Sequence, residues 1–215
     1  MHSFEVNGGK KLSGAITPQG AKNEALQIIS AVLLTPEKIT VSNIPDIVDV
    51  NLLIELLSEM NVKLERTSRD TCSFQADDVN IDYLHSEAFK KKSGKLRGSV
   101  MLAGPMLARF KKAFIPKPGG DKIGRRRLDT HIIGFEKLGA KFTYHEEDGF
   151  FHVETQHFAS QTQTQHFASQ TQTQHFASQT QTQDLASLRG ANLLLDEPSV
   201  TGTANIIMFS ERRRV

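Results

Sequence analysis

Residues Asn51–Glu65 read NLLIELLSEMNVKLE, and the pattern returns at Asp129–Thr143 as DTHIIGFEKLGAKFT with a constant offset of 78. Met60 falls on Leu138, Val62 on Ala140 and Lys63 on Lys141. In the first copy Leu52, Leu53, Leu56, Leu57 and Met60 recur at helical spacing and predict a helix from Val50 to Met60. Ile132, Ile133, Phe135 and Leu138 do the same in the second. Two strand-like segments follow each helix: Val62–Arg66 and Thr71–Gln75, then Lys141–His145 and Phe150–Glu154.

Upstream, GAKNEALQIISAVLL at 20–34 predicts a helix with Ala25, Leu26, Ile28, Ile29, Val32 and Leu33 inward, then a strand at Ile39–Ser42. A helix carrying Met101, Leu102, Met106 and Leu107, with a strand at Ala113–Pro116, repeats that order. Lys22 and Arg97 open these two helices, about 75 residues apart. A period of this length predicts stacked βαβαββ units around one core, an α/β (α+β) architecture. Phe4–Thr17 suggests short extended segments about the Asn7-Gly8-Gly9 turn.

Beyond Glu154 the composition changes. TQHFASQTQ is written three times verbatim from Thr155 to Gln181, and Thr182-Gln183 begins a fourth copy. So polar a tract buries little, and His157, His166 and His175, nine residues apart without a carboxylate or cysteine, define no metal geometry. It reads as a duplicated linker over 155–183, without a function of its own. Ordered-looking sequence resumes in 184–215, where Ser199 or Thr201 is placed to cap a helix through Ile206 and Met208. This opens a third unit that is incomplete at the SERRRV end.

The 215 residues suffice for a sizeable core, and a net charge of +2 says little until it is mapped. Thirteen of the 26 Lys and Arg lie between Lys90 and Arg127, with Asp121 as the single acid among them. Glycines, prolines and apolar residues interrupt these charges, which favours an anion-attracting field over a solvated helix face. Two Tyr and no Trp leave little for base stacking, and no nucleic-acid motif occurs, so nucleic acid ranks last among partners. Cys72, the lone cysteine, sits in a strand-like segment as a structural thiol and fits a reducing cytoplasm. No apolar run approaches membrane-spanning length, and the sequence reads as soluble and cytoplasmic.

Within the basic stretch, KPGGDKIGRRRLDTH at Lys117–His131 holds two glycines that admit a ligand, a carboxyl at Asp121 and three arginine forks suited to phosphate. Such a loop suits a polyanion and acid–base chemistry upon it. Lys22 and Asn23 fall in the first turn of their helix, beside free N–H groups where an anion is well received.

GAKNEAL at 20–26, LRGSVMLAGPMLARF at 96–110, PGGDKIGRRRLDTHIIGFEKLGA at 118–140 and LLLDEPSVTGTANIIM at 193–208 together resemble the UDP-N-acetylglucosamine enolpyruvyl transferase family. The resemblance spans roughly the first 155 residues and 188–208, with its blocks in family order. It implies an inside-out α/β barrel: two domains of three βαβαββ units each, with the active site between them. Residues 21–154 would then form two units of the first domain, and residues 1–20 would belong with a second domain that is missing here.

The implied reaction moves the enolpyruvyl group of phosphoenolpyruvate to the 3′-hydroxyl of UDP-N-acetylglucosamine through a tetrahedral intermediate, with no cofactor and no metal. Carried over by position, Lys22, Arg97 and Arg126 match the cations that bind phosphoenolpyruvate, and Asn23 matches the asparagine at the reacting centre. Arg126, Arg127, Leu128 and Asp129, with Ser199, Val200, Thr201 and Gly202, match segments that hold the uridine and diphosphate. Asp121 stands where most members carry cysteine, and Arg127 where many carry proline. An aspartate there implies an acid that the epoxide drug fosfomycin does not alkylate. The alternative reading is a non-catalytic half-protein that binds a sugar nucleotide or another anion.

Overall fold

The computed structural model describes residues 5, 7–9, 11, 13–116, 128–145, 150–155, 193 and 199–210. The first unit opens with helix α1 (Lys22–Ala31), which tightens into a 3-10 turn at Val32–Leu34. Strand β1 (Lys38–Val41), helix α2 (Val48–Glu59) and strands β2 (Lys63–Arg66) and β3 (Cys72–Gln75) follow. The second unit has a 3-10 turn at Arg97–Leu102, helix α4 (Ala103–Phe110), β4 (Lys112–Pro116), α5 (Asp129–Lys137), β5 (Ala140–His145) and β6 (Phe150–Thr155). Between the units lies α3 (Glu87–Ser93), which the sequence reading did not anticipate; Ser86 caps it by accepting from the Phe89 N–H. A last helix, α6, spans Val200–Ser210.

The two sheets share one topology, with strand orders β1-β3-β2 and β4-β6-β5 and every pairing antiparallel. The outer strands of each sheet therefore run parallel, which is why a crossover helix joins them. The register repeats the sequence duplication: Lys38 and Lys63 both face Gln75, and Lys112 and Lys141 both face Glu154. Each unit thus shows αβαββ. Among the described residues, the leading strand expected for each is not seen; residues of 5–20 that are described pair with no strand.

Ala103 to Ala108 of α4 are all buried, so this helix is covered all round, as a central element must be. It packs against α6, the turn at Val32–Leu34 and β4, while α1 packs against α2, α6 and the turn at Arg97–Leu102. Arg109 ties the units together, donating to the Leu33 carbonyl at 3.1 Å and the Ala76 carbonyl at 2.6 Å.

Two glycines seat α6. A Cβ on Gly104 would meet the backbone carbonyl and Oδ1 of Asn205, the latter at 2.5 Å, and one on Gly134 would run into the Ile206 side chain. Their absence lets α6 press directly on α4 and α5. On α5, Phe135 and Leu138 turn inward as predicted, joined by His131 and Gly134, while Ile132 and Ile133 are only half-buried. In α1, Ile28 is exposed, contrary to its predicted inward position.

Candidate functional site

The start of α6 is built by Ser199, whose Oγ accepts from the Gly202 N–H at 3.1 Å while its carbonyl accepts from the Thr203 N–H at 2.9 Å. Gly202 is required there, since a Cβ would lie 2.9 Å from Ser199 Oγ and 3.1 Å from Thr130 Oγ1. The first turn of α6 thus abuts the first turn of α5, which begins at Asp129 just after Leu128. Four of the expected substrate-contacting positions, Ser199 to Gly202, are brought beside two others, Leu128 and Asp129.

Beneath this junction sits His131, 3% exposed. Its Nδ1 lies 3.1 Å from Asn205 Nδ2 and its Nε2 lies 3.4 Å from Thr201 Oγ1. Asn205 is fully buried; its Nδ2 donates to the Val100 carbonyl at 2.8 Å and its Oδ1 accepts from the Gly104 N–H at 2.8 Å. Burial, helped by the nearby Arg97 charge, pushes the imidazole down to about 4, so it is neutral at pH 7. Neither residue figured among the expected site positions. Both lie on inward helix faces at i, i+3, i+4 spacing, where a polar residue is the available signal.

Arg97 opens the 3-10 turn that leads into α4 and is half-buried. The next residue, Gly98, is pressed on α1, where a Cβ would be 2.9 Å from Leu26 Cδ1. Lys22 and Asn23 stand one turn before Leu26, at the N-terminus of α1, so the two units place these positions on adjoining elements. Lys22 is ion-paired with Asp49 of the first turn of α2, a partner the sequence reading did not supply.

Asp121, Arg126 and Arg127 lie outside the described residues, as does the repeat from 156 onward. Part of the basic stretch is structural instead of anion-directed. Lys90 pairs with Glu87, Lys92 with Glu55 and Glu59, and Lys111 donates to the Ala108 carbonyl at 3.0 Å. Among the described residues no group of three metal-ligating side chains occurs, and no helix is long and apolar enough to cross a membrane.

UDP-N-acetylglucosamine 1-carboxyvinyltransferase of Bacteroides fragilis is 52% identical over 208 residues, covering 97% of this chain and 41% of that protein. The protein of the same name from Bradyrhizobium diazoefficiens is 38% identical over 205 residues, 95% of this chain and 39% of its own length. The chain therefore spans about two-fifths of the relatives it matches. Among solved structures, EPSP synthase from Acinetobacter baumannii superimposes with a TM-score of 0.57 at 13% identity, over 91% of this chain and 37% of that one. The enolpyruvyl transferase NikO from Streptomyces tendae does so with 0.55 at 20% identity, over 69% and 31%. These two carry the fold alone. The family model of EPSP synthase (3-phosphoshikimate 1-carboxyvinyltransferase) matches residues 6–208, and the chain belongs to that family.

Proposed function

We propose that this chain is part of an enzyme that transfers the enolpyruvyl group of phosphoenolpyruvate to the 3′-hydroxyl of UDP-N-acetylglucosamine, a cytoplasmic step committed to peptidoglycan synthesis. The observation that carries this is the 52% identity to a protein named for that reaction, over nearly the whole chain. The convergence of Leu128, Asp129 and Ser199–Gly202 over His131, with Arg97 nearby, supports it.

In the addition step the 3′-oxygen bonds to C2 of phosphoenolpyruvate while a proton is delivered to C3, giving a tetrahedral phospholactoyl species. Elimination then expels phosphate and restores the double bond. Lys22, Arg97 and Arg126 neutralise the phosphate and carboxylate, and Asn23 holds the reacting centre. Asp121 delivers the proton, which requires it to be protonated when substrate is bound. Arg126, Arg127, Leu128, Asp129 and Ser199–Gly202 hold the uridine and diphosphate. In domain terms, residues 1–20 belong with a second domain, 21–154 form two units, 155–183 link them to a third, and 184–215 begin it. The cleft is completed by a part of the relatives that this chain does not span.

The second reading is a sugar-nucleotide binder without turnover, favoured by the adjoining starts of α5 and α6, which carry the positions expected to hold the uridine and diphosphate. Calorimetric titration with UDP-N-acetylglucosamine and a phosphate-release assay with both substrates separate the two. Saturable binding with release that needs both substrates is the expected outcome for transfer. Binding without release favours the binder, and no binding removes both. Asp121 is expected to leave the chain unmodified by fosfomycin in the presence of UDP-N-acetylglucosamine, as read by intact mass. Asp121→Cys should gain one adduct at that position. An adduct on the unsubstituted carboxyl would remove Asp121 as the acid.

A further inference from the structure

The hydrogen-bonding capacities around Asn205 are fixed by the backbone. The Gly104 N–H can only donate and the Val100 carbonyl can only accept, so the Asn205 amide has one orientation, Oδ1 to Gly104 and Nδ2 to Val100. The second Nδ2 hydrogen then points at His131 Nδ1, 3.1 Å away, which must be an acceptor and carry no proton. The imidazole hydrogen is left on Nε2, facing Thr201 Oγ1. A hydroxyl that accepts there has its own hydrogen to give elsewhere.

We infer that Asn205 and His131 are positioning residues which, through a buried and directionally ordered chain of hydrogen bonds, present the Thr201 hydroxyl as a donor to a phosphate oxygen of the ligand. Thr201 is in the first turn of α6 and partly exposed, so its hydroxyl has access to a ligand that the buried pair lacks. The same chain of bonds ties the third unit to the second, because Val100 sits on the 3-10 turn that carries Arg97 and Gly104 on α4, into which that turn leads. The ligand class is a nucleoside diphosphate, and the inference rests on the reading of Ser199–Gly202 given above.

Two measurements on the full chain test it. Long-range 1H–15N correlation spectra should show His131 as the Nε2–H tautomer at pH 7, and Asn205→Asp, which replaces the donor by an acceptor, should move the proton to Nδ1. A His131 proton already on Nδ1 in the unsubstituted chain overturns the inference. Calorimetry with UDP-N-acetylglucosamine should show Thr201→Val binding about tenfold more weakly, with Thr201→Ser within about twofold of the original. The serine variant should melt like the parent, and the valine variant, which leaves the His131 Nε2–H unpaired, should melt lower but stay folded at the titration temperature. Unchanged affinity in Thr201→Val overturns the inference while leaving the proposed function standing. Absence of binding in the parent chain overturns both.

Discussion

Gly104→Ala is expected to destabilise the chain by about 3 kcal/mol, although alanine is the better helix former. The added methyl has no empty space to enter: the Asn205 backbone carbonyl and Oδ1 already occupy it. Relief requires α6 to move away from α4. That movement stretches the Gly104 N–H to Asn205 Oδ1 bond of 2.8 Å and strands both groups in a buried site. For a chain of this size such a loss lowers the melting temperature by roughly 6 to 12 °C. Gly8→Ala, where nothing lies within 4 Å, is the control and should melt like the parent. Thermal unfolding followed by circular dichroism reads both. Equal melting temperatures would mean that α6 is not seated as described.

Acidification from pH 7 to 4 is expected to remove about 3 kcal/mol through His131 alone. In the unfolded chain the imidazole protonates near its ordinary value of 6.5, whereas in the fold it is pushed down to about 4. Below 6.5 the unfolded state therefore binds the extra proton and the folded state does not. Stability from this group is complete above 6.5, declines as pH falls and is exhausted below about 4. Protonation at Nδ1 would also set two donors, Asn205 Nδ2 and the new N–H, against each other. Urea unfolding at pH 7, 6 and 5 reads the slope before the carboxylates titrate. His131→Gln should be less stable at pH 7 and lose most of the slope. A flat profile in the unsubstituted chain would show that His131 is not buried as a neutral ring.

The duplicated βαββ pattern was legible because it is written in hydrophobic periodicity. The 78-residue offset became a shared strand order, and lysines at equivalent places face the same strand position. Ser199 was legible as a cap because a hydroxyl before an apolar helical run has one common use. On α5 the apolar spacing placed Phe135 and Leu138 correctly and missed at Ile133, because counting apolar residues gave Ile133 to the core and left Gly134 out. Interhelical contact reversed that choice, since the missing side chain at Gly134 is what Ile206 fills. His131 and Asn205 escaped for the same reason: a polar residue is ranked as surface until its partner on a distant element is known. The Arg109 bridge to Leu33 and Ala76 and the Lys22–Asp49 pair join positions that local spacing cannot connect. The basic run shows the converse error, since charge counted along the chain includes Lys92, whose two acids come from α2.

Cys72 lies in the middle strand of the first sheet, 2% exposed, where burial raises its pKa and keeps it as the neutral thiol. It is the chain's one sulfhydryl, so the native molecule should be silent toward maleimides and aromatic disulfides. Reaction then requires β3 to come away from β1 or β2, and the speed of dye uptake becomes a clock for opening of that sheet. An electrophile aimed at the proposed site would find no native thiol there, and any labelling at Cys72 would record breathing of the scaffold instead of occupancy of that site.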